Sequence, residues 1–305
     1  MESKLKELLK LVSDYEGSYD GAYNIRSNGQ CAERNSTEHI QIVSKTDQPG
    51  LDIFIQPGTK GEKVFIPACV TQTGFHDLVY NDFHVGEGAD VTIIAGCGIH
   101  AEHGEETVHN GIHRFFMGKN SHVIYQEKHI GTGAAKADRV IDPVTEAFLE
   151  EDAVLEMDTV QLGGVDHSRR KTRAELEARA KILIRERIMT DGDETAETDF
   201  SVVLRGDDSG ADLISRSVAR GNSKQHFVSQ IHGMTRCTGH SECDAILAEN
   251  GSVTAAPALE ASCIDAALIH EAAIGKIAGE QILKLCTLGL TEQEAEERII
   301  AGFLK

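Results

Sequence analysis

Three residues near the C-terminus are the best equipped for chemistry. Cys243 lies in SECDAIL, residues 241–247, and His270 and Glu271 lie in IHEAAIGKI, residues 269–277. A thiolate is a soft donor, and imidazole and carboxylate are harder ones. Such a mixed set can bind iron. The plainer alternative is a buried strand cysteine, a capping histidine, and a carboxylate favoured by the dipole at a helix start. Cys237 and His240 precede Cys243 closely and are minor candidates. On a strand, Cys237 and Cys243 share a face, whereas His240 does not unless Gly239 breaks the strand.

A second constellation lies mid-chain, where Cys97, His100 and His103 are followed by His109, His113, His122 and His129. Glu102, Glu105 and Glu106 stand among them. These donors suit a transition metal. Their spacing is not that of a helical zinc motif, and histidines on a solvated β face are the simpler explanation.

The elements that must position these residues are mostly strands. From about residue 39 to 262, short alternating segments recur, among them residues 90–94, 122–125, 154–157, 181–184, 212–215, 226–229 and 243–247. Each reads as a strand of four to six residues. Turn signals precede many of them, including residues 86–89, 118–120, 206–210 and 249–251. The length of the run, the recurrent small residues and the absence of Trp favour a solenoid over a sandwich. Residues 166–179 are strongly charged and read as a short helix or a surface loop.

Helices are expected at both ends. Leu5, Leu8, Leu9 and Val12 repeat at helical spacing before Gly17. At the other end, Ile274, Ile277, Ala278, Ile282 and Leu285 line one helical face, and Gly289 stops that helix. Thr291 and Glu294 form a capping box for a second helix. These helices suit the task of capping a solenoid whose end coils would otherwise expose strand edges. The expected architecture is mainly β, with a short N-terminal helix (residues 1–20), a solenoid core (21–265) and a C-terminal helical domain (266–305).

Bulk properties exclude several function classes. A net charge of −19 argues against nucleic acid and against an anionic membrane surface. No apolar run is long enough to span a membrane, and no basic flank precedes an apolar stretch at the N-terminus, so a cytoplasmic protein is expected. Seven scattered cysteines do not make a disulfide framework.

The tail HEAAIGKIAGEQILKLCTLGLTEQEAEERIIAGFL, residues 270–304, resembles the C-terminal region of the SufB/SufD family. These are scaffold proteins of the SUF iron–sulfur cluster assembly system. The similarity runs back through SECDAILAENGSVTAAPALEA, residues 241–261, and more loosely to about residue 80. The resemblance implies a right-handed parallel β-helix with a helical C-terminal domain. It implies a transient iron–sulfur cluster and edge-to-edge pairing, as a homodimer or with a second SufB/SufD-like subunit. It also implies a SufC-type ABC ATPase docked on the helical domain and a sulfur donor such as a cysteine desulfurase. ATP would be hydrolysed by that partner, since this chain has no phosphate-binding loop of the Gly-x-x-x-x-Gly-Lys type and is expected to be a scaffold rather than an enzyme. By the resemblance, Cys243 matches the cysteine that receives sulfur and builds the cluster, Glu271 its paired glutamate, and His270 the adjacent histidine. The chain departs from the pattern at residues 251–254, where SufD carries Cys-x-His and this sequence has Gly251, Ser252, Val253 and Thr254. A cysteine accepting sulfur from a desulfurase is not matched, and a long N-terminal extension is not expected. Two other classes stay open: a structural or regulatory partner of the ATPase without its own cluster, and a polysaccharide-active β-helix enzyme. Low aromatic content speaks against the latter.

Overall fold

The computed structural model describes residues 3–134 and 137–305. Helix α1 (Ser3–Ser13) is followed by twenty strands. The first six are β1 (Ala22–Ser27), β2 (Gln30–Asn35), β3 (Ile40–Ser44), β4 (Gly50–Ile55), β5 (Lys60–Val70) and β6 (His76–Val85). Next come β7 (Asp90–Ala101), β8 (Glu106–Met117), β9 (His122–Gly133), β10 (Asp138–Ile141), β11 (Val144–Leu149), β12 (Val154–Leu162) and β13 (His167–Leu176). The series ends with β14 (Lys181–Thr190), β15 (Thr195–Leu204), β16 (Gly210–Ala219), β17 (Lys224–Gly233), β18 (Cys237–Leu247), β19 (Ser252–Ala261) and β20 (Ala266–Gly275). Helices α2 (Gly279–Cys286) and α3 (Glu292–Phe303) close the chain. None of the helices is long and apolar enough to cross a membrane.

From β5 onward most successive strands alternate between two parallel sheets, so the chain winds as a β-solenoid. Each coil sits on the previous one in register, returning after 32 residues at Asp90–His122 and after 28 at Asp212–His240. Side chains of odd and even positions therefore face alternately into the lumen and out to solvent. The inward rows carry Ile93, Tyr125, Met157, Ile184 and Leu213 on one sheet, and Phe83, Phe115, Ala147, Ala174, Val202 and Ile231 on the other. One corner repeats from coil to coil: Asn120, Asp152, Arg179 and Asp208 all take a positive φ there. Amide–carbonyl bonds stack these corners, as in Asp152 N–H to Ala178 O at 3.0 Å and Arg179 N–H to Asp207 O at 2.8 Å.

Most strands from β5 onward run nine to twelve residues, longer than the four to six expected, because polar side chains also point inward. The charged stretch 166–179 is mostly strand β13, neither helix nor loop: Arg170 and Thr172 face the lumen, and Arg169 and Lys171 face out. Arg170 lies between two buried carboxylates. Its Nη1 donates to Glu127 at 2.7 Å, and its Nε lies 3.4 Å from Glu186. Burial opposes charge on both acids. The nearer guanidinium and His129 overcome it at Glu127, holding that carboxyl well below its ordinary range, whereas burial wins at Glu186 and raises it. Tyr125 O–H donates to Glu127 at 2.9 Å. That hydroxyl lies 2.8 Å from His113 Nδ1, so His113 must carry its proton on Nδ1 and donate. Thr198 and Ser215 hydroxyls complete Glu186, each at 2.9 Å.

Neither chain end is capped by a helix as expected. Helix α1 lies across the flank of β5, β7 and β9, with Leu5, Leu8, Leu9 and Val12 buried. Two glycines of β7 make the seat: a Cβ on Gly96 would fall 2.4 Å from the Val12 carbonyl oxygen. The first coil is closed instead by two antiparallel hairpins, β1–β2 and β3–β4. At the far end, β19 and β20 are edge strands with largely exposed side chains. Residues 266–275, expected to open the helical domain, are the strand β20, so Ile274 lies on a strand and the first C-terminal helix begins only at Gly279. Helices α2 and α3 pack chiefly on each other. The Thr291–Glu294 capping box is present, and Gly289 takes φ +98° after α2.

Three outcomes follow from this packing. Gly96→Val should release α1, making residues 3–13 exchange amide hydrogens quickly and lowering stability by about 1–3 kcal/mol while the solenoid keeps its circular dichroism. Burial lowers the His113 pKa from 6.5 to about 4, so the folded state favours the neutral ring. The stabilisation tied to that ring is full above pH 6.5 and is lost as pH falls towards 4. Melting temperature should drop across that window, and His113→Gln should flatten the drop. Arg170→Met should cost about 3–5 kcal/mol by stranding Glu127 and Glu186, measured as a fall in the urea midpoint.

Candidate functional site

Cys243 sits on β18, one coil from the open edge. It faces the lumen and is 1% exposed. Its register neighbours are Ser215 on β16 and Ala272 on β20. At this point a coil takes 29 residues, as between Asp244 and Ala273. A residue 28 positions after Cys243 therefore lands on the opposite face. Glu271 points outward beside Glu242, and His270 points inward beside Ser241. The structure thus brings Cys243 and His270 to one face and sets Glu271 on the other. Glu271 is a strand residue, not a carboxylate at a helix start. The Nδ1 atom of His270 is buried and has no hydrogen-bond partner among the described residues.

Burial, with smaller contributions from Glu186 and Asp244, pushes the Cys243 thiol up to about 12. It is protonated at neutral pH in this conformation, and a metal or sulfur electrophile must displace that proton. Glu186 reaches this region through Ser215, whose hydroxyl donates to it and whose backbone pairs with Cys243. Beside them, the hydroxyls of Ser229 and Ser241 lie 2.7 Å apart. A line of inward polar groups therefore runs from His113 and Glu127 through Arg170 and Glu186 to Cys243.

The minor candidates separate as strand parity requires. Cys237 is buried on the same face as Cys243, and β18 continues through Gly239. His240 points outward and pairs with Asp212 at 2.8 Å.

The mid-chain donors divide in the same way. Cys97 faces the lumen, His100 lies on the outer face near Glu102 and Thr132, and His103 lies on an exposed bend after β7. The expected grouping of Cys97, His100 and His103 does not form. Cys97 instead meets Glu127 and His129, whose ligand atoms all lie within 4.8 Å of one another and of its sulfur. Cys97 and His129 are register partners one coil apart. The mid-chain set includes Cys97 and His129 but not Glu127, and the coil repeat is the signal that could have grouped the three. Burial, then Glu127, holds the Cys97 thiol well above its ordinary value. A further acidic set, Asp52 and Asp82 beside His84, is already neutralised by Lys45 at 2.6 and 2.8 Å and by Arg114 at 2.7 Å.

Comparison with known proteins places the chain in a family. Residues 76–303 match the family described as "SUF system FeS cluster assembly, SufBD core domain". A protein of Archaeoglobus fulgidus named an iron–sulfur cluster assembly SufBD family protein is 29% identical over 89% of this chain and 72% of its own length. Proteins of the same family name from Methanothermobacter thermautotrophicus and Pyrococcus horikoshii are each 27% identical, over 82% and 76% of this chain and 62% and 69% of their own lengths. This chain therefore belongs to the SufBD family of SUF-system iron–sulfur cluster assembly proteins.

Proposed function

We propose that this chain is a scaffold subunit that builds a labile iron–sulfur cluster at a subunit interface and is driven by a SufC-type ABC ATPase. The observation that carries this reading is the placement of Cys243 and His270. A thiol one coil in from an open sheet edge and a ring nitrogen on the edge strand itself share one face. Iron and sulfide are the cargo, so weak ligation is an advantage: one cysteine per subunit assembles a cluster without retaining it as four cysteines would. A second subunit pairing along β19 and β20 supplies the other half of the site, and a two-fold axis makes that doubling automatic if the partner is a twin. Exposed Ile264, Ile269 and Ile274 on the last coil give such a partner apolar surface to cover. Glu271, outward on β20, contributes at the rim of that contact rather than from the lumen.

Burial also gives the ATPase a task. The Cys243 thiol is enclosed and protonated at rest, so iron and sulfide need the last coil to move. A nucleotide-driven partner docked on α2 and α3 supplies that movement. The amphipathic α2 offers docking surface, because it has no buried residue of its own in the free chain. The competing reading is a structural partner of the ATPase with no cluster.

Anaerobic reconstitution with iron and sulfide separates the two. The parent protein should take up a cluster with visible charge-transfer absorbance, Cys243→Ser should lose most of it, and His270→Ala should release iron to a chelator about tenfold faster. Equal uptake by the Cys243→Ser, Glu271→Ala double variant sinks the assignment at these residues. Removal of residues 291–305 should abolish capture of a SufC-type ATPase in a pull-down and leave the strand signal in circular dichroism intact; retained capture refutes the docking role of α3.

A further inference from the structure

The outer face of the second sheet carries a feature that the proposed cluster site does not include. Phe54, His84, Phe116 and Phe148 stand one above another on β4, β6, β8 and β11. Successive ring centroids are 4.7, 5.2 and 5.6 Å apart, with planes within 13° of parallel. The three phenylalanines remain 44%, 37% and 41% exposed. They floor a groove of about 780 Å³ that runs along the solenoid axis, beside Pro57 and Met117. Glu150, Glu175 and Glu177 line its end beyond Phe148, where Glu175 continues the ring row in register. Glu175 pairs with Arg205 at 2.9 Å, whereas among the described residues neither Glu150 nor Glu177 forms an ion pair.

We propose that this groove binds a basic amphipathic helix of another protein. Two periods select a helix. Rings recur along the groove at coil spacing, about 5 Å, close to the helical pitch of about 5.4 Å. Side chains at i, i+4 and i+7 of a helix therefore drop between successive rings. One face of an extended peptide repeats only every ~6.7 Å and falls out of step within two rings. Charge selects the sign. The unpaired Glu150 and Glu177 carboxylates stand at one end of an apolar floor on a chain of net charge −19, so Lys or Arg beside the apolar stripe complements that end. The groove is some 15 Å long, room for about ten helical residues. It lies on a different face from the lumen and the open edge.

The test uses two fluorescein-labelled 14-residue model helices with the same leucine stripe, one filled with lysine and one with glutamate, and a scrambled leucine–lysine control. Fluorescence anisotropy should show the leucine–lysine helix binding and the other two not. Phe116→Ala with Phe148→Ala should weaken that binding about tenfold or more. Glu150→Lys with Glu177→Lys, which leaves the ring stack in place, should transfer binding to the leucine–glutamate helix. The proposal is overturned if no helix binds, if the scrambled control binds as well, or if the alanine variant binds equally. It is overturned too if the alanine variant changes the sedimentation coefficient of the free protein, since the groove then belongs to a second copy.

Discussion

Coil-on-coil register is the constraint on which this molecule depends. Each strand hydrogen-bonds to the strands one coil above and below, so a side chain's neighbours are fixed by coil length rather than by proximity in sequence. A coil longer or shorter by one residue turns an entire strand over. Ser215, Cys243 and Ala272 form one lumen row by this rule, and Glu242 and Glu271 form an outer one. The aromatic stack on the opposite sheet and the positive-φ corners follow from the same repeat.

Register also lets charge lie inside. Arg170 is held between Glu127 and Glu186 because these acids share one row, two coils apart across Thr159, and Arg170 reaches between them from the facing sheet. An isolated buried ion would be prohibitive, and even paired ions recover little of their lost hydration. Hydroxyls from Tyr125, Thr198 and Ser215 offset part of that cost. An apolar lumen would fold at least as well. The polar line that reaches Cys243 therefore adds little to stability.

Local signals in the sequence were legible where they depend on near neighbours. The leucine spacing of α1, the Thr291–Glu294 box, the Gly289 stop and most corner turns needed no distant partner. Strand lengths were harder, because inward Glu127, Arg170 and Glu186 interrupt the apolar alternation that marks a strand. Residues 266–275 were harder still. Their alanines are good helix formers, and an edge strand shows no buried face to betray its period. Likewise, 28 residues between Cys243 and Glu271 resembles one coil, and only the turn geometry of this coil reveals that 29 are needed.

The unprotected edge of β20 has a consequence for the protein in solution. A free row of backbone donors and acceptors, flanked by isoleucines, is a template for any strand it meets. Natural sheets blunt such edges with prolines, bulges or inward charges, and β20 has no proline and a regular register with β18. A chain whose edge stays uncovered is thus prone to pair with another copy of itself and to be lost to aggregation or proteolysis.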